Sequence, residues 1–160
     1  MAGQASRSHF EVESLLITPN KPLGPLDNGT LALIVRRPAI DKREVCQTAE
    51  LTKEDGLVGD RWREVGQPVT KQVCVTSVAA MEAVSGKDKE KWIAAGDQLF
   101  VDFAIDRDNL KEGDLIGCGE EVVFRVSPYP HNGCRKFSAR YGQEALDVFN
   151  SEKGKHLRLR

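Results

Sequence analysis

The sequence lacks any apolar run near the length of about 20 residues that a membrane-spanning helix needs. Its opening residues, MAGQASRSHFEVES, hold no apolar core of a secretory signal, so export is not expected. Net charge is nearly absent, −1 over 160 residues, which leaves no global field to attract nucleic acid or an anionic membrane. The four cysteines, Cys46, Cys74, Cys118 and Cys134, form no C-x-x-C pair and match no zinc-ligand spacing. Without an export signal they are expected to be free thiols in a reducing cytoplasm. The phosphate loop, the dinucleotide fingerprint, the H-E-x-x-H zinc helix and the G-x-S-x-G elbow are all missing. So are internal repeats and low-complexity tracts.

What is present suits a soluble globular domain: 40% apolar and 29% charged residues, in a chain long enough to bury a core without disulfides. Residues 1–28 read as an N-terminal extension or peripheral segment, dense in Pro, Gly and Asn toward its end. Residues 29–160 read as one domain. GTLALIVRRP places Leu31, Leu33 and Val35 on one face of a strand, and REVCQTAEL is its plausible partner. KQVCVTSV is rich in β-branched residues and runs into AAMEAV, a short helical patch. QLFVDFAID alternates, with Leu99, Val101, Phe103 and Ile105 on one face. EGDLIGCGEEVVFRVSP reads as a hairpin. After Cys134 the period changes, and Phe137, Tyr141, Ala145, Leu146 and Phe149 fall at helical spacing, with Gly142 dividing two helices. The expectation is a mainly β, barrel-like antiparallel fold with a few short helices, one set near the C-terminus.

Two stretches carry candidate chemistry. In EDGLVGDRW, Asp60 can orient Arg61 or cap backbone N–H groups, leaving Arg61 set to grip an anion with two nitrogens. The bland alternative is a tight turn with a surface ion pair, and local chemistry alone favours it. In YPHNGCRKF, Cys134 precedes Arg135 and Lys136 and follows His131 by three residues. Nearby positive charge and the start of a helix would both favour its thiolate, the nucleophilic and metal-binding form. The other three cysteines read as structural. Arg36 and Arg37 end a strand and add positive charge to a pocket or, more commonly, to a solvated edge.

Taken in order, GLVGDRW, GDQLFVDF, EGDLIGCG and PYPHNGCRKF resemble the MOSC domain, the C-terminal domain of molybdenum-cofactor sulfurases, in its stand-alone bacterial form. The resemblance spans about residues 29–160, and the order and spacing of its stretches are more specific than any one of them. It departs at Trp62, where many members have His, at Gly96-Asp97-Gln98, where many have Gly-Glu-Asn, and at Gly133, where many have Pro. It implies a β-barrel related to that of pyruvate kinase, and a link to the molybdenum cofactor (molybdopterin). By position Cys134 would ligate molybdenum or carry sulfur as a persulfide. Arg61, Lys136 and Arg140 would hold the cofactor's anionic groups, Asp60 would belong to the same cofactor-binding set beside Arg61, and His131 would tune the ligand. The implied function is molybdenum-ion binding, in support of the reduction of N-oxygenated compounds. The alternatives are sulfur carriage on Cys134 and a non-catalytic binding module. The implied partners are a small-molecule substrate and a redox partner. For sulfur carriage, a separate pyridoxal-phosphate desulfurase would be the source. Family members continue past LRLR, so a missing strand would leave an edge open to a homodimer.

Overall fold

The computed structural model describes residues 22–152 and 154–160, so most of the expected peripheral segment lies outside the described residues. Nine strands appear in chain order: β1 Thr30–Arg36, β2 Glu44–Cys46, β3 Leu51–Thr52, β4 Gly56–Leu57, β5 Val75–Ser77, β6 Leu99–Asp102, β7 Leu115–Cys118, β8 Val122–Arg125 and β9 Arg158–Leu159. Four α-helices join them: α1 Val78–Ser85, α2 Lys89–Trp92, α3 Arg135–Tyr141 and α4 Gln143–Asn150. The fold is therefore mixed α/β.

The main sheet has five strands in the order β2-β1-β6-β5-β9. Pairs β3-β4 and β7-β8 are separate two-stranded ribbons. Among the described residues the five-stranded sheet does not close: β2 and β9 are its ends. The wholly antiparallel expectation also needs correcting. Strands β5 and β6 run parallel, with Val75 opposite Leu99 and Ser77 opposite Val101. The reason is the crossover between them, which holds α1 and α2, and a helical crossover returns the chain in the same direction. Ser77 opens α1 as its N-cap, its hydroxyl accepting from Ala80 N–H at 3.3 Å, so the β-branched run changes to helix within one residue.

The expected single apolar face of β1 is split. Leu31 pairs with Val101 but Leu33 with Phe100, so one extra residue is accommodated at Ala32. Leu31 is thereby left exposed, whereas Val35 is fully buried. In β6 strict alternation also fails, because the strand lies between β1 and β5 and both Leu99 and Phe100 are buried.

The C-terminal helices match their sequence period. Gly142, at φ 93°, divides α3 from α4 in a conformation that side chains resist. Phe137 lies between Tyr141 and Phe149, with ring centroids 4.8 and 5.2 Å away. These helices join Val35, Met81, Trp92, Phe100 and Leu157 in one core. Among the described residues no helix is long and apolar enough to cross a membrane.

Candidate functional site

The core delivers one end of α3 to the edge of the sheet, and Cys134 sits there as the residue preceding the helix. Its carbonyl accepts from Phe137 N–H at 2.8 Å, while its thiol stays exposed. The preceding loop is clamped by α4: Asn150 Oδ1 accepts from Gly133 N–H at 2.8 Å, and Asn150 Nδ2 donates to Gly133 O at 3.3 Å. A Cβ at Gly133 would lie 2.6 Å from Leu146 Cδ1, so that side-chain end would have to shift to admit one.

Beneath this loop lies a buried charged quartet. Arg158, from β9, donates to Asp97 through Nη2 at 2.8 Å and through Nε at 3.1 Å. Its Nη2 also reaches Ala95 O at 3.4 Å and lies 3.4 Å from His131 Nε2. The guanidinium is 5.0 Å from the centre of the Phe137 ring. Nη1 of Arg158 has no partner among the described residues. His131 Nδ1 approaches Asp97 Oδ1 to 2.8 Å, off the line of a hydrogen bond, so this contact is an ion pair when the imidazole is protonated. Cys74 completes the quartet, with its sulfur, an Asp97 oxygen and a His131 nitrogen all within 4.8 Å of one another.

Burial alone would raise the pKa of Asp97, but the charges of Arg158 and His131 overcome it and hold the carboxyl well below the usual range. Burial pushes His131 down, and Asp97 and Cys74 more than offset this, so its pKa is raised. Cys74 is likewise lowered against the cost of burial, chiefly by His131. Cysteine, histidine and aspartate within this distance could ligate a metal ion. Arg158 argues against that use, because its cation already grips Asp97 Oδ2 with two nitrogens. Two anion-forming and two cation-forming groups balance one another without a metal.

Above the quartet is a bowl of cations. Arg43 lies over Gly96, where a Cβ would be 3.6 Å from its Nη2. Burial and the like charges of Arg140, Arg37 and Arg61 lower its pKa. Its Nη1 donates to Lys42 O at 2.7 Å, but its buried Nε has no partner among the described residues. Arg140 donates to Ala94 O at 2.8 Å and reaches Asp41 only at 3.4 Å. Lys136 pairs with Asp41 at 2.9 Å, at an exposed position where such pairs contribute little. The bowl thus has more cations than the single carboxylate of Asp41 can satisfy.

Cys134 feels both layers. Burial works to raise its pKa, and it is overcome by the backbone N–H groups of Phe137 and Lys136 and by the charges of Arg158 and Arg140. No hydrogen bond to its sulfur is formed in aligned geometry, so the N–H groups act on it as dipoles. The net shift favours the thiolate. Cys118, in contrast, is raised by burial.

The structure brings Cys134, His131, Lys136 and Arg140 to one place, with Arg61 close enough to Arg43 for its charge to be felt. Of the two readings of Asp60, the capping of backbone N–H groups is the one seen. Among the described residues its carboxylate makes no hydrogen bond with Arg61. Its buried carboxylate grips Arg37, with Oδ2 accepting from Nε at 2.9 Å and Oδ1 from Nη2 at 2.8 Å. It also caps the N–H groups of Arg37 and Trp62. Arg37 then reaches Gly96 O at 3.0 Å, so this pair is a strut that holds the base of the bowl. Side-chain direction explains the difference, since Arg61 follows Asp60 in the chain while Arg37 lies across from it. Asp97, Arg158, Arg43 and Cys74 had no reading as site residues. The alternating LRLR that carries Arg158 was the one available signal, because an arginine on an inward-facing strand position needs a buried partner.

A scan against protein-family models, a search of curated proteins and a search of solved structures return no match for this chain.

Proposed function

We propose that the chain is a molybdenum-cofactor-binding protein of the MOSC-domain type, in which Cys134 is the metal's thiolate ligand and the cationic bowl holds the cofactor's phosphate. The observation that carries this reading is an exposed, thiolate-favouring Cys134 beside arginines with unspent donors. A phosphate-bearing metal cofactor needs both a soft ligand and convergent cations, and the residues present fit that demand. Arg43, Arg61 and Arg140 would take the anionic groups, with Lys136 released from Asp41 to join them. His131 and Asp97 would act from below by fixing the loop. The bound group would supply the redox chemistry for reducing N–O bonds. The chain's own residues orient it, neutralise it and favour the thiolate of Cys134. On this reading the open five-stranded sheet is a variant of the MOSC barrel, and the protein works in the cytoplasm with a redox partner.

The experiment is elemental molybdenum per chain together with oxidised-pterin fluorescence, on protein from a host that makes the cofactor. The reading predicts both signals in the wild type and their loss in Cys134→Ser. Neither signal in the wild type rejects it. A second reading, sulfur carriage on Cys134, draws on the same exposed thiolate and needs no metal.

A further inference from the structure

The strongest unexplained feature of the site is Arg158 Nη1. Its side chain is only 3% exposed, its other nitrogens are committed to Asp97, Ala95 and His131, and this one has no partner among the described residues. Buried guanidinium nitrogens are normally satisfied, so one left over beneath a reactive thiol points to an anionic ligand group. Arg43 Nε, buried and unpartnered on the bowl side, repeats the signal. The Cys134 thiol, which feels the charges of Arg158 and Arg140, is exposed. A phosphate alone would use the cations and leave a nucleophilic sulfur idle. Apart from a phosphate-bearing metal group, a ligand that uses both is one that presents an electrophilic sulfur bonded to an oxyanion.

We propose that the site takes thiosulfate, or another S-sulfonate, as a sulfur donor to Cys134. This rests on the sulfur-carriage reading and names its donor class. The thiolate of Cys134 attacks the sulfane sulfur of thiosulfate. A new S–S bond forms to Cys134, the S–S bond of thiosulfate breaks, and sulfite departs with that electron pair. Cys134 is left as a persulfide, with no net oxidant or reductant consumed. Arg140 and Arg43 bind the sulfonate oxygens and favour the departing sulfite. A thiol or cyanide then takes the outer sulfur and returns the thiolate.

The test uses the full chain made in a host without the molybdenum cofactor, mixed with thiosulfate. Expected are about one equivalent of sulfite per chain, a mass gain of one sulfur on the Cys134 peptide, and thiocyanate when cyanide is added. Cys134→Ser should abolish all three, while Cys46→Ser and Cys118→Ser leave them unchanged. Arg158 variants would endanger folding, so recognition is tested at the exposed Arg140. Arg140→Ala should raise KM for thiosulfate about tenfold, the size of one lost charge-assisted hydrogen bond, with partial rescue in Arg140→Lys. At alkaline pH, where the thiol is ionised with or without Arg140, reaction of Cys134 with an uncharged organic disulfide, which lacks a sulfonate, should be untouched by Arg140→Ala. No sulfite above a protein-free control overturns the proposal. So does equal slowing of both reactions by Arg140→Ala at that alkaline pH. Loading from a cysteine desulfurase with none from thiosulfate rejects this donor class and leaves sulfur carriage standing.

Discussion

Arg158 Nη2 lies 2.8 Å from Asp97 Oδ2, and both side chains are withdrawn from water. The pair joins the last strand to the turn before β6, and everything in the site rests on it. Arg158 also packs on Phe137, which fixes the start of α3, and lies against His131, which fixes the loop. Removing one member leaves an uncompensated buried charge, which costs about 3–5 kcal/mol. Asp97→Ala should therefore lose that much stability in urea unfolding. A loss below about 1 kcal/mol would show that the pair is not holding the fold.

The quartet also sets opposite pH limits. The lowered pKa of Asp97 means its contribution is fully present above the ordinary carboxylate range, near pH 4, and is lost as pH falls through the folded value. The raised pKa of His131 means its contribution is fully present below about pH 6.5 and is lost as pH rises through the folded value. The stability difference between wild type and His131→Gln should shrink toward alkaline pH, and that between wild type and Asp97→Asn should shrink toward strong acid. Denaturant midpoints across pH check both. Differences that grow in those directions would contradict the assignment.

Much of the fold was legible because periodicity reports which face of an element is buried. The strands β1, β6, β7 and β8 and both C-terminal helices lie where alternation and helical spacing put them. Barrel closure was not legible. It depends on which edges meet, and the parallel β5-β6 pair follows from packing of the α1-α2 crossover. At the site, Cys134 could be found because charge and turn residues are local. The arginines that matter most could not. Arg158 lies 61 residues from Asp97, and Arg37 lies 23 residues from Asp60. No local pattern encodes partners that far apart.

The Asp60–Arg37 strut should behave as a structural pair. Asp60→Asn keeps the shape but loses the charge and one acceptor, and should cost about 1.5–3 kcal/mol. Arg37→Lys should cost a similar amount, because an ammonium cannot make the two-nitrogen contact. Chemical denaturation of both variants and the double variant checks this. Additive losses would mean the two do not act as a unit.

Asn150 should control the cysteine loop without building the core. Asn150→Ala removes both bonds to Gly133 and should cost about 1–2 kcal/mol. The freed loop should move Cys134 away from the N–H groups that favour its thiolate. Its alkylation profile should then shift toward that of an ordinary thiol. An unchanged profile with the same loss of stability would confine Asn150 to packing.

The most direct measurement of the central claim is iodoacetamide labelling of all four cysteines across pH, followed peptide by peptide. Cys134 should label fastest and at the lowest pH, below the ordinary thiol value of about 8.5, while Cys118 responds only at higher pH and buried Cys74 resists labelling. If Cys134 proves no more reactive than Cys46, Cys74 and Cys118, it is not the functional thiol. Molybdenum ligation and sulfur transfer would then both fall.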